Sequence, residues 1–145
     1  MHDRDPEDLK NAELRDTGQP DIRPTGLELI IEERERQITK EGWTAEHDDE
    51  HTDGELAKAA ICYATPEPIY QKIINYPNEV RFVDVWPDWW DSEWDKRKVN
   101  EMTDVLIPNS KLPKNQRIRN LVKAGALIAA EIDRLQRIKQ SNAKK

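Results

Sequence analysis

The chain has 145 residues, enough for one domain with a real core and too few for two. Charged and hydrophobic residues each make up 36%, only 5 residues are glycine, and the formal net charge is −6. That balance favours helices with charged outer faces, and the lack of a basic stripe or a membrane-length apolar run argues against polymeric nucleic acid and membranes as partners.

Residues 1–23 mix charges with few apolar side chains around Gly18 and Pro20, and read as a flexible or strap-like segment with a short helix over 6–15. Order is expected from Pro24. Thr25 followed by Glu28 is a capping box, and the helix it opens should run to about Glu41 and stop at Gly42. Leu27, Ile30, Ile31, Arg34 and Ile38 fall along one side, but only the first half of that stripe is apolar. The second half presents Arg34, Gln37 and Glu41, which are expected to line something wet.

Next comes a dense acidic run. Seven carboxylates (Glu41, Glu46, Asp48, Asp49, Glu50, Asp53, Glu55) and two histidines (His47, His51) fall within fifteen residues. Acid this dense repels itself unless something cationic shares the space. His47, His51 and Glu55 are spaced by four and would share one helical face if a helix ran back through the run. Against that, Thr52 and Glu55 form a second capping box, which starts a helix over 54–64 and leaves the histidines in a loop. A looser metal site would gather His47, Asp48, Asp49, His51 and Glu55 around magnesium or manganese, since oxygen ligands dominate. Glu32, Glu33, Glu35, Glu131 and Asp133 could add acids to it, unless Arg34, Arg36 and Arg134 already pair with them. Trp43, beside Gly42 and the acidic run, is the best candidate for stacking on a ligand. Cys62, between Ile61 and Tyr63, reads as a buried structural thiol; a lone cysteine excludes a disulfide framework and suits a reducing, cytoplasmic setting.

Residues 66–113 read as a Trp-rich irregular insertion. Ile69, Ile73 and Ile74 suggest a helical turn or two, and the β-branched stretch 80–85 suggests a short strand. Trp86, Trp89, Trp90 and Trp94 follow; they would cap the core, form an oligomer interface or stack on a flat ligand. Residues 104–113 read as a loop broken by two prolines. The last helix, over 114–139, carries an apolar seam of Ile118, Leu121, Gly125, Ile128, Ile132 and Leu135, with Gly125 marking a close helix crossing. Residues 140–145 read as a disordered tail. The expected fold is all-α, a single domain over 24–139 with an antiparallel core of helices near 25–41, 53–64 and 114–139. One chain has few partners for both the face carrying Ala57 and Ala60 and the terminal seam, so a homo-oligomer is expected.

Residues 121–137 (LVKAGALIAAEIDRLQR) and 54–59 (GELAKA) resemble the two core helices of MazG-like, all-α nucleoside triphosphate pyrophosphohydrolases, in particular the phage-encoded branch. The upstream ERERQITKEGW with His47 is similar to that branch's first helix and the tryptophan and histidine after it. The resemblance implies magnesium held by an EExxE and an ExxD motif, cleavage between the α and β phosphates, and assembly as dimers or tetramers. Laid over this chain, the first motif falls on His51, Thr52 and Glu55, where only Glu55 keeps its acid. The second falls on Asn120 and Lys123, where neither acid survives and the two side chains would face the ligand instead. A lysine there neutralises phosphate charge but holds no ion. Two functions are therefore expected. One is a divalent-ion-dependent nucleotide pyrophosphohydrolase with Glu55 and Asp49 as catalytic acids. The other is a non-catalytic binder that sequesters a host nucleotide signal or blocks a host protein, with Trp43, Arg34 and Lys123 gripping a base and its phosphates.

Overall fold

A computed structural model describes residues 22–88, 90 and 92–143. In chain order it contains α1 (Gly26–Lys40), α2 (Ala45–Asp49), α3 (Glu55–Ala64), β1 (Tyr70–Asn75), β2 (Glu79–Asp84) and α4 (Lys114–Ala143), with single 3-10 turns at Ser92–Trp94 and Asn109–Lys111. Residues 1–21 of the strap expected over 1–23, with the short helix over 6–15, lie outside the described residues, as do Trp89, Asp91 and the last two residues.

The architecture corrects the all-α expectation. Among the described residues, four helices stand beside a two-stranded antiparallel sheet, which makes the fold mixed α and β. The stretch 80–85, read as a strand, is β2. Its partner β1 takes in Ile73 and Ile74, which the spacing assigned to a helical turn. Ile73 faces Arg81 and Ile74 faces Val80 across the ladder. Three isoleucines over so short a stretch fit either structure; the cross-strand partner supplied after the Pro77–Asn78 turn decides for the hairpin.

α1 starts where the capping box placed it: the Thr25 side chain accepts from the Glu28 N–H, and Glu28 reaches back to the Thr25 N–H. α3 starts differently. Its N-cap is Gly54 with no side-chain cap, and Glu55 turns back to accept from the Asp53 N–H. α2 was not foreseen. Thr44 caps it by accepting from the His47 N–H, which converts part of the acidic run into one helical turn.

α4 is the spine, against which α1, α2 and α3 all pack. Small residues set the spacing: Ala59 and Ala60 of α3 and Ala124 and Ala130 of α4 are buried around Leu56 and Leu127. Trp43, Trp90 and Tyr63 complete this core. At the crossing with α1, Ile30 lies over Gly125, where an added Cβ would fall 2.5 Å from the Ile30 Cδ1. The anticipated seam is otherwise reversed. Ile118, Leu121, Ile128, Ile132 and Leu135 are all exposed by 41% or more, while Asn120, Leu127 and Arg134 on the opposite arc are buried. The alanine-lined arc wins because it lets α3 approach closely, which a row of isoleucines would hinder. Among the described residues no helix is long and apolar enough to cross a membrane.

Candidate functional site

The site forms where the end of α1 turns into α2 and the tryptophan segment folds over both. Gly42 has φ +74, a left-handed conformation that costs an L side chain strain and glycine none. That turn lets the Trp43 N–H bond the Gln37 carbonyl at 3.0 Å and folds the Trp43 ring back into the core at 6% exposure. Around it the rings pack edge to face: Trp43 on Trp90 at 5.8 Å and on Trp94 at 5.9 Å, with Trp86 on Trp90 at 5.6 Å. Edge-to-face contact suits the opposed charge of ring faces and edges. Tyr63 fixes the far end of the segment, since its hydroxyl donates to the Trp94 carbonyl and accepts from the Lys96 N–H at 2.8 Å. Burial pushes the Tyr63 phenol up to about 12, so it stays protonated.

These rings wall a cavity of about 30 Å³ together with polar groups from two facing helices. α1 contributes Glu33, Arg36 and Gln37, with Glu41 at its end, and α4 contributes Lys123. Of Arg34, Gln37 and Glu41, expected to line something wet, Gln37 and Glu41 line this cavity and Arg34 does not. Glu33 is buried at 3% exposure and bonds Arg36 and Arg119, each at 2.7 Å. Burial pushes its carboxyl up, but the two guanidinium bonds prevail and hold it below its ordinary value. Arg36 also binds Glu41 at 2.8 Å. Lys123 is half-buried, with its ammonium 5.4 Å from the centre of the Tyr63 ring. Among the described residues no carboxylate pairs with it. Burial and then the nearby Arg119 lower its pKa. Gln37 is 3% exposed, and its Oε1 has no hydrogen-bond partner among the described residues.

The proposed metal ligands do not converge on one point. His47 lies on α2 and His51 just after it, with ring centres 4.8 Å apart. His51 Nδ1 accepts from the Trp90 indole N–H at 3.3 Å and lies 3.9 Å from Glu55. Burial, and then the neighbouring His47, depress the His51 pKa. Asp48 turns the other way. It is fully buried, with Oδ2 accepting from Arg34 at 2.6 Å and Oδ1 3.2 Å from His47 Nδ1. Asp49 is exposed and bound to Arg137 at 2.8 Å. Glu131 is held by Arg134 at 2.5 Å. Among the described residues no group of three or more His, Cys, Asp or Glu is placed to hold a metal ion. Asp48 and Asp49, expected as ion ligands, are paired with Arg34 and Arg137.

Two expected ligand contacts also lie elsewhere. Arg34 spends its charge on Asp48 and does not line the cavity. Asn120 is 1% exposed and structural: it donates to Asn109 Oδ1 at 2.8 Å and accepts from Gln116. Asn109 in turn donates to the Cys62, Tyr63 and Thr65 carbonyls, which closes the end of α3. Sequence reasoning missed Lys96 and Tyr63 as cavity residues. Nothing in their local sequence marks them, because both reach the cavity through long-range folding.

No protein-family model matches the chain, and neither a curated protein nor a solved structure is found similar to it. The likeness to MazG-like helices thus rests on the residues quoted for it.

Proposed function

We propose that this chain binds a nucleotide, or a closely related small phosphorylated molecule, at the aromatic cavity, as a metal-independent binder and not a hydrolase. The observation that supports this is Lys123. Among the described residues this half-buried ammonium has no ion-paired carboxylate, though Glu33 and Glu41 share its cavity with the aromatic rings, and it is a positive charge that an anionic group of a ligand relieves. Its counterpart in the resemblance would be a magnesium ligand, and lysine takes over the charge of the ion rather than its coordination. Two of the acids expected to hold a divalent ion, Asp48 and Asp49, are engaged by Arg34 and Arg137, which supports the binder over the pyrophosphohydrolase. A cavity of about 30 Å³ admits a phosphate oxygen or a water but no ring, so the base stacks on the part-exposed Trp86 and Trp94. The likeness to phage-encoded sequences makes sequestration of a host nucleotide the corresponding role.

The test is a thermal shift and calorimetry series with the four ribonucleoside triphosphates, with and without magnesium, on the wild type and Lys123→Met. Methionine keeps the stem and removes the charge. A nucleotide should raise the melting temperature equally with and without magnesium, by mass action on the folded state. Lys123→Met should weaken binding by about tenfold to a hundredfold, the range for one charge-assisted bond. A shift that needs magnesium, or release of pyrophosphate on incubation, would restore the hydrolase. No shift with any nucleotide would remove both.

We further propose that two copies pair along the exposed stripe of α4. What supports it is a row of half-exposed Leu121, Ile128, Ile132 and Leu135 at steps of seven, four and three residues, the pattern of a helix seam that meets a partner.

A further inference from the structure

Gln37 is a residue of the cavity whose chemistry the binding of an anion leaves unexplained. It is buried to 97% by its 3% exposure, and its amide oxygen has no partner among the described residues. A buried polar atom without a hydrogen bond is destabilising and rare, so its persistence calls for a group that completes it. The cavity it faces holds about 30 Å³, space for one or two water-sized groups, between aromatic walls. Three candidate groups would suit an amide there: an amine, a carbonyl or a hydroxyl. An amine satisfies only the oxygen and a carbonyl only the nitrogen, whereas a hydroxyl donates and accepts and so satisfies the amide in either orientation. A hydroxyl also fits the volume. Aromatic walls suit the apolar C–H faces of a sugar, and Lys123 in the same wall supplies the site for the phosphate attached to it.

We propose that Gln37 recognises a sugar hydroxyl of the ligand, so that the cavity selects ribose phosphates over their deoxy counterparts. This rests on the reading of the cavity as a nucleotide site and adds one sugar hydroxyl as the group that enters it, the sugar ring staying at its mouth with the base. Lys123 of α4 holds phosphate, Gln37 of α1 holds the adjacent hydroxyl, and the base remains outside against the tryptophans.

The experiment is calorimetry of the wild type, Gln37→Met and Gln37→Glu with each ribonucleoside triphosphate, its 2′-deoxy and 3′-deoxy forms, and ribose 5-phosphate. Both variants nearly keep the side-chain volume, and glutamate keeps the acceptor. In the wild type, removing the recognised hydroxyl should weaken binding by about tenfold, one hydrogen bond's worth. Gln37→Met should weaken the ribose ligand by a similar factor and leave that deoxy ligand unchanged, so that discrimination disappears. Gln37→Glu should retain part of it. Ribose 5-phosphate binding with the same dependence on Gln37 would show that the sugar, and not the base, is read. Equal wild-type affinity for ribose and deoxyribose forms overturns the proposal without any variant. Undiminished discrimination in Gln37→Met overturns it too, and leaves water as the partner of the amide. If no nucleotide binds the wild type, the failure lies with the nucleotide reading itself.

Discussion

Asp48 and Asp49 are neighbours in sequence and opposites in the structure, which makes their replacement by asparagine a sharp test. Asp48 is fully buried, and its Oδ2 lies 2.6 Å from Arg34 Nη2. The Arg34 side chain is 13% exposed, and its Nε and Nη1 have no partner, so Asp48 is its sole anchor among the described residues. Asp48→Asn keeps the shape but strands a buried guanidinium, and one-sided loss of such a pair costs about 3 to 5 kcal/mol. Unfolding entropy of about 2.1 cal/mol/K per residue, multiplied by 145 residues, gives about 0.3 kcal/mol/K. Dividing, the melting temperature should fall by about 10 to 16 °C. Asp49 is different: its side chain is 48% exposed and its partner Arg137 34%. An exposed pair is worth at most about 1 kcal/mol, so Asp49→Asn should shift the melting temperature by no more than about 3 °C. Differential scanning calorimetry of both variants decides. Adding Arg34→Met to Asp48→Asn should recover part of the loss, since no buried charge is then left alone. Had both aspartates held one metal ion, their substitutions would act alike and magnesium would rescue the wild type only. Similar effects of the two, or a near-neutral Asp48→Asn, would refute the buried-pair account.

Three further outcomes follow from the site and its supports. His51 folds with its pKa depressed below the ordinary 6.5, through burial and then His47, against the opposing pull of Glu55, Asp48 and Glu50. The unfolded state therefore takes up the proton first, so stability present above pH 6.5 should be lost as pH falls through the window below it. Tryptophan fluorescence should change in the same window, because protonated His51 no longer accepts from Trp90, and His51→Gln should flatten both profiles. A melting temperature that rises on acidification would contradict this. Asn109→Ala should cost about 2 to 3 kcal/mol by urea denaturation, since it strips three carbonyls at the end of α3 and leaves Asn120 with an unmet donor. A cost within experimental error would mean that water replaces the amide fully. Ile128→Glu with Ile132→Glu should convert a dimer to a species near 17.0 kDa by sedimentation without loss of helical signal. A wild type that sediments at 17.0 kDa at micromolar concentration would dispose of the α4 contact between copies.

The sequence by itself determined the elements whose signals are local. Thr25 and Glu28 mark the start of α1 four residues or fewer away, Gly42 marks its end, and Pro113 precedes α4 as a proline before a helix should. The crossing at Gly125 was legible for the same reason: a glycine inside a long helical pattern needs a close neighbour to justify it. What only the tertiary structure decided involves partners far along the chain. β1 exists because β2 pairs with it, and its own isoleucines suit a helix equally well. The isoleucine stripe of α4 looked like core, but hydrophobic pattern alone does not say which arc meets a neighbour; the alanines that admit α3 do. The counter-charges of Asp48 and Asp49 were likewise out of view in the sequence. Arg34 stands 14 residues before Asp48 and Arg137 stands 88 after Asp49, and folding brings each guanidinium to its carboxylate. Asp48 and Asp49 thus meet cations of the protein's own, since a chain that folds can supply over a long loop what no local pattern displays.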